Sequence, residues 1–378
     1  MIRTREEQKR VRPLSDRLVV IGGGAVGCFA AIAAALEGLD VTVIDPRGPM
    51  GGAASRSAGV VTVQLDDKAD VLLVLESLRL LGEVVKTSAV RSGFLQIGRE
   101  EDLAESVEAM NQAGVRYELL HPDDVRSRWP SLHVDEGEIS IYTDVDLAVE
   151  PTILASEASQ KLAELGVRVV RDEVVSMRVS GGEVSELLLS GDGPMGVGQV
   201  ILAAGANNAI LLSRLGLQLR SQIITCYAYR FDLGSSLNVP CFSDEHLHSY
   251  WRPWGTELVG GGYDAEWADR PSYEQREPPR DYVERSLHML RYRVRASSVP
   301  RHVSSLSGPC EITEDLEPYL GTVDGLSNLV VAGGLRGYGL MRGPKLGEMA
   351  YQLAVGRRPS LEVERYSVQR ILAGHGRH

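Results

Sequence analysis

Three glycines and one aspartate carry the first chemical signal in this chain. Gly22, Gly24 and Gly27 satisfy G-x-G-x-x-G within LVVIGGGAVG, and Asp45 closes the VTVID run that follows. The apolar residues 18–21 read as a buried parallel strand, AVGCFAAIAAALEG as a helix and VTVID as a second strand. In such a unit the first glycine permits the tight turn and the second admits a pyrophosphate close to the backbone. The third lets helix and strand pack closely. A helix start offers unpaired N–H groups and the positive end of a dipole. A pyrophosphate is therefore expected against Gly22, Gly24, Ala25 and Val26, with Asp45 placed to accept hydrogen bonds from a ribose. The unit points to a dinucleotide and leaves NAD and FAD open.

A second glycine cluster lies near the other end, in LVVAGGLRGYGLMRGPKLGEMAYQLAVG. An apolar strand, Leu329 to Ala332, enters a loop with glycines at 333, 334, 337 and 339, and Pro344 is expected in the first turn of the next helix. A nicotinamide enzyme has little need of a second backbone-rich loop before a helix start. A flavin has: reduction puts negative charge on the N1–C2=O edge of the isoalloxazine, which a helix dipole stabilises.

The elements that must position these glycines are legible in outline. The chain has 378 residues, enough for two structural domains, with a hydrophobic fraction of 43% and a net charge of −11. That charge argues against a nucleic-acid partner. Cys28, Cys226, Cys241 and Cys310 lie far apart without a C-x-x-C pair, so neither a disulfide framework nor a metal site is expected. The uncharged run Leu18–Leu36 follows a basic N-terminus as a signal peptide or membrane span would, but its early glycines and the VTVID strand fit neither. The expected location is cytoplasmic, with a peripheral position at the inner face of a membrane as the alternative.

Residues 1–16 read as a charged N-terminal extension. Segment 69–90 has helical spacing, with Val71, Leu72, Leu75 and Leu78 on one stripe. FLQIG and EISIY read as strands, EEDLAESVEAMNQAG as a helix ending at Gly114, and PTILASEASQKLAELG as a helix opened by proline. The segments from VRVVRDEVVSMRVS to GGEVSELLLSG read as a β-meander before the buried strand of QVILAAGA. Residues 221–304 alternate like antiparallel strands, with a helix at ERSLHMLRYRV. The fold class expected is α/β: a Rossmann-like nucleotide domain interrupted by an α+β substrate domain with a mostly antiparallel sheet. The nucleotide domain takes 17–90, 150–220 and 305–378, and the substrate domain takes 91–149 and 221–304.

In series these motifs resemble the D-amino-acid oxidase-like FAD oxidoreductases, which include glycine oxidase, sarcosine oxidase and dye-linked proline dehydrogenases (beta-type subunits). LVVIGGGAVG…VTVID is similar to the family's nucleotide fingerprint, and GGAASRSAGVV (51–61) to its turn along the flavin. QVILAAGA resembles "VVLAAGAW", and GPCEITEDLEPYLGTVDGLSNLVVAGG resembles the segment that carries "TPD". GLRGYGLMRGPKLGE resembles "GHSGHGFMLAPAIGE". The resemblance implies a glutathione-reductase type of Rossmann fold and noncovalent FAD in an extended pose. Its adenosine end would lie against Gly22, Gly24, Asp45 and Arg47, with Val174 meeting the adenine through its backbone. Ser55, Arg56, Ser57, Ala58 and Gly59 would follow the pyrophosphate and ring. Ala204 and Gly205 belong to the same binding surface, as does Gly334. Arg336, Gly337, Tyr338, Gly339, Leu340 and Met341 would sit by the isoalloxazine.

The activity so implied is hydride transfer from the amine-bearing carbon of a small amine or amino acid (proline-like, N-methyl or D-) to flavin N5. It rests on orientation and on electrostatic support of the reduced ring, and needs no dedicated general base. Candidate catalytic contacts are Tyr250 in SYWRP, similar to the family's "YLRP" strand, and Arg252, on the same face of a regular strand. Tyr263, Arg336, Met341 and Cys310 complete the set. Cys310 takes the position of an arginine that grips the substrate carboxylate in several relatives, so Arg252, Arg336 or Arg342 is expected to supply that charge. Two alternatives stay open: a flavin dehydrogenase of a 2-hydroxy acid or glycerol phosphate, and a flavin-binding subunit of a larger electron-transfer complex. The electron acceptor is left among oxygen, a quinone and a partner flavoprotein, and homo- or hetero-oligomerisation is left open.

Overall fold

The computed structural model describes residues 17–374; the charged extension at 1–16 lies outside them. A six-stranded sheet runs in the order Tyr319–Val323, Leu326–Gly333, Gln199–Leu202, Arg17–Ile21, Asp40–Ile44, Arg168–Val170. All neighbours in it are parallel except the antiparallel edge Tyr319–Val323. Residues 18–21 sit at its centre, at most 4% exposed, as an apolar run covered on both faces must. The fingerprint helix Ala25–Leu36 packs on one face and a second apolar cluster fills the other. Gly22 has φ +101°, and an added Cβ there would collide with the carbonyl of Ala203. At Gly27 a Cβ would strike Gly22 O, so glycine is what lets the helix leave the strand so tightly.

The last α-helix, Gly339–Ala354, crosses the fingerprint helix through small residues. A Cβ on Gly343 would stand 2.7 Å from Ala25 Cβ, and one on Gly347 would stand 2.9 Å from Ala30 N. This contact sets the two helix starts side by side. Pro344, expected in the first turn, lies instead inside the helix, which begins five residues earlier. The turn Arg336–Tyr338 closes with Tyr338 N donating to Leu335 O, and Met341 and Arg342 both donate to Tyr338 O, so helical bonding is already under way before the proline.

The helix expected over 69–90 spans Lys68–Gly82, with the Asp67 side chain capping it by accepting from Ala69 N and Asp70 N. Its buried face differs from the expected stripe. Val71 is buried, but Leu72, Leu75 and Leu78 are only half-buried, while Asp70, Val74, Ser77 and Leu81 are covered. The reason is polar: Asp70 pairs with Arg342, and Ser77 Oγ accepts from Lys345 N at 3.1 Å, both on the last helix.

A nine-stranded sheet forms the second layer, mostly antiparallel but with Phe94–Gly98 parallel to Cys241–Asp244. Its longest pair joins Ser221–Asp232 to Arg301–Thr313. The strand Arg301–Thr313 thus belongs to this sheet, whereas the sequence reading returned the chain to the nucleotide domain at 305. The crossing comes later, near Tyr319, because a strand already paired from Asp232 onward keeps its partner to Thr313. The β-meander holds over Val174–Ser180, Glu183–Leu189 and Pro194–Gly196, but Arg168–Val170 instead forms the edge of the six-stranded sheet. Among the described residues no helix is long and apolar enough to cross a membrane.

Candidate active site

One cavity of about 1010 Å3 takes its walls from both sheets and from both helix starts. Gly22, Gly24, Ala25 and Val26 line it, as do Gly337, Tyr338, Gly339, Leu340 and Met341. The two starts are alike. Each N-cap, Gly24 and Tyr338, lacks a capping side chain, and neither first turn carries an acidic residue. The first-turn amides therefore keep their positive potential for a ligand. At Gly24 and Gly339 the space that a Cβ would enter is open, with no heavy atom within 4 Å. A pyrophosphate and the oxygen-bearing edge of a flavin fit these two cradles.

Around the fingerprint the anchoring groups also hold the protein to itself. Asp45 accepts from Gly23 N (2.8 Å) and from Arg47 N (2.7 Å), which shapes the turn and presents the carboxylate at the cavity wall. The guanidinium of Arg47 lies 3.6 Å over the ring of Tyr273. Arg56 lines the cavity, but its Nη1 donates to Gly51 O and Gly52 O and its Nη2 to Tyr273 O at 2.7 Å. These bonds hold the Arg56 guanidinium in the turn at the cavity wall. Ser57, Ala58, Gly59, Val174, Ala204, Gly205 and Gly334 also face the cavity. Ser55 does not: its hydroxyl donates to Gly52 O inside the turn, which points it away.

A buried relay that sequence reasoning missed joins the two sheets behind the cavity. Asn208 accepts from Ala204 N and donates to Tyr319 Oη (2.9 Å) and to Ala332 O. Tyr319 in turn donates to Glu311, whose carboxylate also accepts from Ser221 Oγ and from Gly334 N. Burial pushes the Glu311 carboxyl up to about 7, against the lowering pull of these donors. The relay fixes the AAGAN turn and the Gly333–Gly334 turn relative to each other. Its only sequence signal was a polar residue, Asn208, beside a glycine turn. Tyr273 was missed for a different reason, since its loop carries no motif.

At the other end the wall changes from backbone to side chains. Tyr250 and Tyr263 stack with ring centroids 5.8 Å apart, and both line the cavity, as Tyr338 does. Burial drives the Tyr250 phenol well above its usual range, so it stays protonated. Arg336 lines this end, held at φ +48° by a backbone bond from its N–H to Glu311 O. Cys310 and Cys226 share one face of adjacent strands, and their thiols hydrogen-bond to each other. Arg252 was expected beside Tyr250 at the substrate but lies outside the cavity wall. It is 1% exposed, donates to Ala58 O and pairs with Glu150 at 3.1 Å. Its long side chain passes beneath the Ala58–Gly59 turn instead of stopping at the surface. Arg342 is likewise committed elsewhere, buried against Asp70. Of the three arginines expected to supply a carboxylate partner, Arg336 alone reaches the cavity. Among the described residues no group of three metal-ligating side chains converges.

The profile of the family described as FAD dependent oxidoreductase matches residues 17–353. The 4-methylaminobutanoate oxidase (formaldehyde-forming) of Paenarthrobacter nicotinovorans is 25% identical, over 96% of this chain and 46% of the relative. The monomeric sarcosine oxidase of Bacillus sp. (strain B-0618) is 23% identical, over 93% of this chain and 95% of the relative. The chain thus spans about half the length of the first relative and nearly all of the second. The crystal structure of L-proline dehydrogenase from P. horikoshii superposes with a TM-score of 0.85 at 22% identity, covering 95% of this chain and 98% of that one, so the fold is shared.

Proposed function

From the premise that this chain belongs to the FAD dependent oxidoreductase family, we propose that it oxidises the carbon–nitrogen bond of a small amine or amino acid. The observation that carries the reading is the cavity that joins two uncapped helix starts to a tyrosine-lined chamber. Gly24, Ala25 and Val26 would hold the pyrophosphate, Asp45 and Arg47 the adenosine, and Gly337–Met341 the ring, with the cofactor noncovalently bound. When bound, FAD supplies the two-electron acceptor for the hydride that leaves the substrate carbon.

The chain's own groups supply position and field. Tyr250, with its phenol protonated, and Tyr263 wall the chamber and would orient the reacting C–H bond. Arg336 takes the substrate carboxylate, the role that Cys310 leaves vacant. The first-turn amides at Gly339 hold positive potential where negative charge develops. The amine enters the reaction neutral, since its lone pair must form the new C=N bond. The names of the relatives, an N-methyl amine oxidase, a sarcosine oxidase and a proline dehydrogenase, support the same substrate class. A phosphate substrate is disfavoured, because Asp66 and Glu245 share this chamber with one arginine.

The test is anaerobic mixing of the yellow protein with N-methyl, cyclic and D-amino acids, and separately with 2-hydroxy acids and glycerol phosphate. Bleaching by amines alone is expected. Bleaching by hydroxy acids alone, or by nothing, overturns the proposal. Precipitation in acid is expected to leave the yellow colour in solution, and colour in the pellet contradicts noncovalent binding.

A further inference from the structure

We infer that segment 269–279 is a strap across the cofactor end of the cavity, with Tyr273 as a latch that must let go before FAD enters or leaves. This rests on FAD being the cofactor and is independent of the substrate. Sheet order places the strap. Strand Arg17–Ile21, which runs into the fingerprint glycines, lies between Gln199–Leu202 and Asp40–Ile44, parallel to both. The chain just after those two neighbours carries Asn207 and Arg47, so these residues flank the glycine turn on either side.

Tyr273 is held by both flanks. Its Oη accepts from Asn207 Nδ2 at 3.2 Å, and the Arg47 guanidinium lies 3.6 Å over its ring. Its backbone carbonyl accepts from Arg56 Nη2 at 2.7 Å. The ring also rests near Gly52, where an added Cβ would stand 3.5 Å from Tyr273 Cε1. One residue thus spans the loops on both sides of the phosphate cradle and, with Pro271, forms part of the cavity wall. All these ties join protein groups, so the latch closes without drawing on the cofactor.

The strap itself belongs to the other layer. It has no regular structure between strand Ala265–Ala268 of the nine-stranded sheet and helix Arg280–Arg293. Its later half is fastened to that sheet: Gln275 Nε2 donates to Ser305 O (3.1 Å), and Arg276 N donates to Ser307 Oγ (2.7 Å). Tyr273, just before these anchors, reaches across to the nucleotide layer and is only half-buried there. A stretch anchored at both ends and held in its middle by one side chain can swing without disturbing either core. A cation–π contact and two hydrogen bonds can break and re-form, whereas the glycine turn beneath them is locked by its packing.

The experiment reads flavin exchange rather than turnover. FAD release from the loaded protein is followed by the change in flavin fluorescence after dilution, and FAD capture by the flavin-free protein is followed by the same signal. In the wild type the capture rate is expected to level off as FAD is raised, because the strap opens first. Tyr273→Ala is expected to speed release at least about tenfold, and to make capture faster and proportional to FAD over the same range. Tyr273→Phe keeps the ring on Arg47 and loses the Asn207 bond, so both rates are expected to rise about threefold in a variant close to the wild type in shape. Release at the wild-type rate in either variant overturns the inference. Faster release with capture unchanged or slower also overturns it, since Tyr273 would then be a contact or a structural support and not a gate. A wild-type protein that takes up no FAD overturns the cofactor reading, and the latch with it, whereas unchanged rates in a protein that binds FAD overturn the latch alone.

Discussion

At the fingerprint end the part of the cavity wall at the helix start is main chain, Gly22, Gly24 and the first amides of a helix within five consecutive residues, with Asp45, Arg47 and Arg56 flanking it. At the sheet end it is side chain, with Gln96 set beside Ser243 and Tyr250, about 150 positions later in the chain, by register alone. Backbone recognition demands particular residues at particular spacings, because a Cβ in the wrong place closes the site. Side-chain recognition demands only that something suitable arrive at the right face. The first kind of wall serves a constant ligand and the second a variable one.

The sharpest way to break this contrast is to put a side chain where the wall must be backbone. Gly22→Val meets both an unfavourable φ of +101° and the carbonyl of Ala203, a cost of about 3 kcal/mol or more. The variant is expected to lose its yellow colour on gel filtration. Retained flavin at wild-type stoichiometry would show that the turn is not the anchor.

Next in size is the seam between the two regions. The Glu311 carboxyl is raised from 4.5 to about 7 by burial, so the folded state holds its proton more tightly than the unfolded chain does. That contribution is fully present below the unfolded value and is lost as pH rises through about 7. Urea titrations of the wild type are expected to lose about 3 kcal/mol from this group between those pH values, a loss that Glu311→Gln removes. Asp146, raised to about 6, works in the same sense and remains in the variant, so some decline persists. An identical pH slope in both proteins contradicts the assignment.

A smaller effect separates the two ends. Tyr250→Phe removes a phenol from the side-chain wall alone, and kcat/KM is expected to fall about tenfold, or ~1.4 kcal/mol. FAD affinity, measured by dialysis, should stay as in the wild type. A parallel loss of flavin would erase the division. The smallest test is chemical. Cys226 is lowered by its hydrogen bond with Cys310, whereas burial pushes Cys28 and Cys241 up to about 12. Limited alkylation at pH 8, read by peptide mass, is expected at Cys226 before Cys28 or Cys241; the opposite order contradicts the placement.

The same division explains what could be seen in the sequence. The strand–glycine–helix unit at 18–36 and the second glycine loop at 333–339 were legible because close approach leaves no alternative to glycine at Gly22, Gly27, Gly333 or Gly334. Pro344 misled because helical bonding begins earlier, at Tyr338. At the sheet end, two-residue spacing placed Tyr250 and Arg252 on one face, yet a long side chain carries the Arg252 charge under the Ala58–Gly59 turn, to Glu150. The Asn208–Tyr319–Glu311 relay was invisible, because three polar residues spread over about a hundred positions have no local period.

A crystal structure of the yellow protein would show where one flavin lies and whether both helix starts hold it. The pyrophosphate is expected on the amides of Ala25 and Val26 and the isoalloxazine against Gly337–Gly339, both within the same cavity. A flavin that touches only one of the two helix starts, or a protein that cannot be reconstituted with FAD, would contradict it.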